Sequence, residues 1–193
     1  HGMPAFGELL EAVARGFREH RDGLRAQNGR LREVLARIAR AAPVAGIAFD
    51  RGPLDVARSA LERSFDADCG GFTPAPKFPH PGFLERLLRH WHASAHTDEP
   101  DLKALYMATL TLARMAEGGI CDQVGGGFAR YSTDRYWMIP HFEKMLCDNG
   151  LLLALYADAA AATGEALFRR AASGIGDWAL GEMQSPAGGF WSA

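Results

Sequence analysis

The sequence predicts an all-α fold of successive helical hairpins arranged as a toroid. Three observations lead there. Apolar residues recur at the spacing of amphipathic helices through most of the 193 residues. The triplet Gly-Gly-Phe returns at Gly70–Phe72, Gly126–Phe128 and Gly188–Phe190, about 56 and 62 residues apart, with two helical stretches between copies. The first two copies are each followed by a segment bearing Lys, Phe and His, Pro76–His80 and Pro140–Lys144. Hairpins that repeat at such a period bury their apolar faces on neighbours. The closed arrangement is a ring of helix pairs whose inner helices line a funnel.

Taken in order, Pro4 opens a helix to about His20 with Phe6, Leu9, Leu10, Val13 and Phe17 on one side. A second helix, Arg21 to Arg40, carries Leu24, Leu31, Val34, Leu35 and Ile38. Residues 1–42 thus form a helical arm. Residues 43–52, between Pro43 and Pro53, read as a linker, and the hairpins occupy residues 53–193. Pro53 starts a helix to about Phe65, and Asp66 and Asp68 end it in a turn. The next stretch, CGGFTPAPKFPHPGF, has too many prolines and glycines for regular structure. Helices follow at Gly82–Ser94 and Pro100–Ala116. In the stretch Gly118–Asn149, Phe128–Tyr131 and Tyr136–Ile139 predict a short hairpin around Ser132–Arg135. Pro140 then suits the first turn of a helix running from His141 to Thr163. A last helix spans Glu165 to Met183.

Composition narrows the function. Net charge is −2, and the arginines between Arg15 and Arg40 are interleaved with acids, so a solvated helix face is expected rather than a nucleic-acid surface. No apolar run reaches the ~18 residues of a membrane span, and His1–Pro4 does not open a signal peptide. Cys69, Cys121 and Cys147 are odd in number and form no CxxC pair, which fits buried thiols in the cytoplasm rather than a disulfide framework or zinc site. The glycine-rich GGGF precedes no helix, so no dinucleotide or phosphate loop is expected. Neither a cofactor nor a metal is predicted.

The strings GGFTPAPKFPHP, GGICDQVGGGFARYSTDRYWMIPHFEKMLCDNGLLLALY and GGFWSA resemble the thioredoxin-domain-containing proteins of the spermatogenesis-associated protein 20 type, the DUF255 family. The resemblance implies a thioredoxin-like domain followed by an (α/α)6 toroid similar to N-acylglucosamine 2-epimerases and six-hairpin glycosidases. Residues 1–42 would then end the thioredoxin-like region, and residues 53–193 would form the first half of the toroid. Six hairpins at this repeat need roughly 350 residues, and the chain opens at His1, so a piece of a longer protein is expected. Its expected partners are the missing toroid half and the upstream thioredoxin-like domain, with self-association through the open apolar edge. Cys121 and Cys147 depart from the family pattern, which has mostly an aromatic or polar residue and a tyrosine there.

Candidate site residues concentrate in Gly118–Asn149. On a helix begun at His141, Lys144 and Asp148 share a face that continues as Leu152, Leu155 and Tyr156, so the charged start should meet a cavity. His141, Asp148, Asp122 and Asp134 are the catalytic candidates. Arg130, Tyr131, Trp137, Lys144, Lys77 and His80 are the substrate-binding ones. Aromatic faces among carboxylates and a histidine suit a carbohydrate, whose C–H faces stack on rings and whose hydroxyls need polar partners. Isomerisation would use His141 as acid/base. Hydrolysis would need two carboxylates facing across a bond, one of them Asp122, Asp134 or Asp148. The alternatives are a non-catalytic binding module and a scaffold in which Arg130, Asp134 and Glu143 pin the loop. Glu143 is read as complementing the helix dipole. The catalytic reading expects convergence on one pocket with Asp122 at its rim.

Overall fold

A computed structural model describes residues 4–39, 50–72 and 74–193. The chain divides into two units, His1–Phe49 and Asp50–Ala193. The first holds α1 (Phe6–Glu19) and α2 (Arg21–Ala39). Glu8 accepts the Ala5 N–H at 2.9 Å and closes the first turn of α1. The apolar side of α1, with Phe6, Leu9, Leu10, Val13 and Phe17, is exposed. Of the expected linker, residues 43–49 lie outside the described residues, and Gly52 already belongs to the next helix.

The second unit holds α3 (Gly52–Ser64), α4 (Pro81–Ser94), α5 (Leu102–Glu117), α6 (Leu146–Thr163) and α7 (Ala166–Trp178), which runs on into a short π-helical turn, Ala179–Met183. The helices pair as hairpins, α4 with α5 and α6 with α7. The pairs lie side by side, α4 against α6 and α5 against α7, with α3 on α4 and α5. Leu84, Leu87, Met107, Leu112, Met115, Leu152, Leu155, Tyr156, Phe168 and Ile175 form the continuous core between them. Burial of each such side chain stabilises by roughly 1.5–3 kcal/mol. At one end Asp101 caps α5 through the Ala104 N–H at 2.9 Å and also grips Arg58 of α3 at 2.7 and 3.0 Å. Gly164, left-handed at φ 75°, ends α6.

Two expectations in the central stretch are corrected. The helix begins at Leu146, five residues after His141. Pro140 bridges to Ser132, the His141 N–H donates to Tyr131 O at 2.9 Å, and the Arg130 N–H donates to Glu143 O at 2.8 Å. Residues 140–143 are therefore held out of a helix by long-range pairing that outweighs the local preference for a proline-started helix, with a tight turn at Phe142 where the Glu143 N–H donates to His141 O at 2.7 Å. The His141/Lys144/Asp148 helical face consequently does not form. The hairpin is also shifted. Residues near Ser132 pair with Pro140 on one side and with Lys77 on the other, as isolated bridges, and no named strand occurs among the described residues. Asp134 sets the register by accepting the N–H groups of Tyr136 and Ile139 at 2.5 and 2.6 Å, which rounds the chain before Ile139.

Candidate functional site

Two of the glycine loops fold alike. In the first, the Asp66 N–H donates to Gly71 O at 2.9 Å and the Gly70 N–H to Asp66 O at 2.8 Å; in the second, the Asp122 N–H donates to Gly127 O and the Gly126 N–H to Asp122 O, both at 3.0 Å. Each loop is filled by a lysine from later in the chain. Lys77 Nζ donates to Asp66 Oδ2 at 2.8 Å and to Gly70 O, and lies 5.5 Å over the Trp137 ring. Lys144 Nζ donates to Asp122 Oδ2 and Gly126 O, both at 2.7 Å, and lies 5.5 Å over the Trp178 ring. A polar helical residue pins each loop: Thr111 Oγ1 on α5 accepts the Gly71 N–H, and buried Asn149 on α6 bonds the Phe128 N–H and C=O. Gly126 must be glycine. It sits at φ 75°, and a Cβ there would stand 2.2 Å from Gly174 O. The third copy makes a similar turn, with Ser185 in place of the aspartate, but Phe190 is 47% exposed where Phe72 and Phe128 are 6% and 1%.

This geometry accounts for half of the sequence candidates. Lys77 is fully buried among its loop partners and faces no solvent-open site, because Asp66, Gly70 O and an indole compensate its charge. Asp122 is held down to about 2, chiefly by the Lys144 ammonium and then by the Gly125 and Val124 N–H groups. At neutral pH it is an ionised acceptor already engaged, not a proton donor. Asp134 is engaged by its own loop. Trp137 is fully buried and donates Nε1–H to Cys69 O at 2.9 Å, so neither ring face is open to a ligand. Burial, with the Asp122 charge, pushes the Cys121 thiol up to about 11, which removes it as a nucleophile.

The remaining candidates do come together. The Tyr131 ring is stacked between Phe78 and His141, 4.7 Å from each, at 29° and 16°. His80 is tilted against Phe78 at 6.1 Å and stacked on Phe83 at 4.8 Å, and burial lowers its pKa. Glu143 joins the group: its carboxylate lies 3.9 Å from His141 Nδ1 and 3.7 Å from Arg130 Nη1, while Arg130 Nε lies 3.9 Å from Asp148. These separations exceed hydrogen-bond length, and the side chains are a third to a half exposed, so the cluster is open to a bridging ligand. The non-helical backbone explains the grouping. Arg130 and Tyr131 lie beside Glu143 and His141 across one pair of short segments. Asp122 is not at the rim. It lines a separate cleft of about 510 Å³ with Gln123, Leu167 and Arg170, whose lining does not include His141, Tyr131, Arg130 or Asp148.

The sequence reading placed Glu143 on a helix and so did not group it with His141 and Arg130. The polar–apolar–polar order of His141, Phe142 and Glu143 was the available signal. Phe78 was visible only as part of a shared Lys/His/Phe pattern.

No protein-family model matches the chain. It is similar to spermatogenesis-associated protein 20 of Rattus norvegicus, with 44% identity over 133 residues, and to that of Homo sapiens, with 43% over the same length. The matched stretch is 69% of this chain and 17% of each relative. The chain therefore spans about a sixth of the length of the curated relatives it matches. An uncharacterised protein of Caenorhabditis elegans is 47% identical over 100 residues, 52% of this chain and 14% of that protein. Among solved structures, a sugar epimerase from a ruminal bacterium matches with a TM-score of 0.54 at 14% identity, over 70% of this chain and 39% of that one. At that identity the likeness is one of fold: the hairpins are laid out as in part of an α/α toroid. Among the described residues, no helix is long and apolar enough to cross a membrane.

Proposed function

The chain is homologous to one segment of the spermatogenesis-associated protein 20 type, and we propose that this segment forms one wall of a carbohydrate site in which His141 transfers a proton. The stack of Phe78, Tyr131 and His141 beside Arg130, Glu143 and Asp148 carries this reading. Sugar C–H faces pack on exposed rings, and a guanidinium with two carboxylates supplies donors and acceptors for adjacent hydroxyls. The Glu143 carboxylate stands 3.9 Å from Nδ1, and Nε2 would take a proton from a carbon beside a carbonyl. An isomerase- or epimerase-like reaction is put first because the cluster carries an imidazole stacked on Tyr131; with Asp122 and Asp134 engaged in loops, hydrolysis would instead rest on Glu143 and Asp148. The alternative, a binding or scaffold module working with the upstream thioredoxin-like domain, is supported by the two lysine-filled loops, which knit the same region together.

In the whole protein, residues 1–42 would end the thioredoxin-like region, residues 43–52 would link it, and residues 53–193 would be the first half of the toroid. That domain and the other toroid half are the proposed partners, with self-association of the isolated chain and a cytoplasmic location. The test uses a preparation with the complete toroid, incubated with aldoses and N-acyl hexosamines in D2O. The reading expects deuterium to enter at the carbon beside the carbonyl, and His141→Ala to abolish this with little change in melting temperature. If His141→Ala lowers stability sharply while sugar binding persists unchanged, the residue is structural and the scaffold reading stands.

A further inference from the structure

A cleft of about 820 Å³ opens at the end of the second unit remote from the glycine loops, between the start of α3, the second half of α4 and the last turns of α6. Its walls carry three guanidiniums, Arg51, Arg86 and Arg89, and the imidazole of His92, against one carboxylate, Asp158. Arg89 reaches Glu85 at 2.6 Å on the helix surface. Among the described residues, Arg51 and Arg86 make no ion pair, and the Arg86 Nε is buried without a hydrogen-bond partner. An unpaired buried guanidinium N–H carries a desolvation cost that nothing in the fold offsets. The lining is otherwise mostly apolar, with Leu54, Leu88, Ala161 and Ala162, and none of its side chains accepts the Nε–H. Trp91 adds an aromatic surface to the same lining.

We propose that this cleft binds a phosphate monoester carried on an aromatic or apolar body. Two guanidiniums without carboxylate partners match the two negative charges of a phosphate at neutral pH, whereas a lone carboxylate would leave one uncompensated. Guanidinium forks present paired N–H donors at the spacing of phosphate oxygens. The volume falls in the range of small-molecule sites, and the apolar residues with Trp91 take the body of the ligand. The site is independent of the His141 cluster, since none of that cluster's residues lines it.

The experiment is calorimetric titration of the 193-residue chain with 1-naphthyl phosphate, alongside 1-naphthol. One-to-one binding is expected for the phosphate, with 1-naphthol at least about tenfold weaker. Arg86→Gln and Arg51→Gln should each weaken phosphate binding about tenfold or more, and Ala162→Trp should abolish it by filling the cleft. Arg135→Gln, in the remote loops, should leave it unchanged. Melting curves run in parallel; Arg51, at the entrance to α3, can be replaced without disturbing the core even if Arg86→Gln unfolds. Equal binding of naphthol and naphthyl phosphate, or parental affinity in folded Arg51→Gln, overturns the proposal.

Discussion

Replacing Lys77 with methionine isolates the contribution of a buried lysine to this fold. Methionine keeps the length of the stem and removes the charge. It leaves Gly70 O without its donor and Asp66 without its closest cation. Breaking a buried pair costs about 3–5 kcal/mol. Arg135, at 3.0 Å from Asp66, and the Cys69 N–H remain, so the lower end of that range applies, about 3 kcal/mol. For a unit of this size the melting temperature should fall by roughly 6–12 °C. Acidity provides a second readout. Burial would raise the Asp66 carboxyl, but Lys77, the Cys69 N–H and Arg135 together outweigh it and hold the group at about 2, against an ordinary 3.8. A carboxylate depressed on folding contributes stability that is complete above its unfolded pKa and lost as pH falls through the folded one. The parent should therefore lose about 2 kcal/mol from this group between pH 4 and 2. Lys77→Met should show a clearly shallower loss over that window. Thermal unfolding at pH 7 and at steps down to pH 2 measures both effects. A variant melting within 2 °C of the parent, with the same acid dependence, would refute the claim that the lysine holds the loop.

Gly126→Ala should destabilise by about 3 kcal/mol or more, since the residue is left-handed and its new Cβ would overlap Gly174 O. Gly150→Ala, inside α6 with nothing within 4 Å of the new Cβ, should instead stabilise by about 0.5–1 kcal/mol. Denaturant unfolding of the pair checks the contrast, and equal effects would discard it. Asp101→Ala removes the α5 cap and strands the buried Arg58, whose remaining partner is Glu62; a loss of about 3 kcal/mol is expected, and less than 1 kcal/mol would show that Glu62 suffices.

The helices of the hairpins were legible in the sequence because the signals that specify them are local. Apolar spacing marked α3, α4 and α5 to within a residue or two, and the last helix likewise when the π-helical turn Ala179–Met183 is counted with α7; Gly164 marked the end of α6. The repeat of the Gly-Gly-Phe loops was legible too, since in the first two copies a loop that needs left-handed glycines and a buried ring writes the same three letters. Tertiary structure decided what local chemistry leaves open. Lys77, bracketed by prolines, reads as a substrate-binding candidate. It is buried because a carboxylate eleven positions earlier, the Gly70 carbonyl and an indole sixty positions later all lie against its ammonium. His141 follows a proline that would begin a helix, yet pairing with Tyr131 keeps it out of one, moves Glu143 beside it and separates both from Lys144 and Asp122. Helix start, charge burial and site membership all turn on contacts between residues far apart in the chain, and only the closed packing of the hairpins brings those residues within reach.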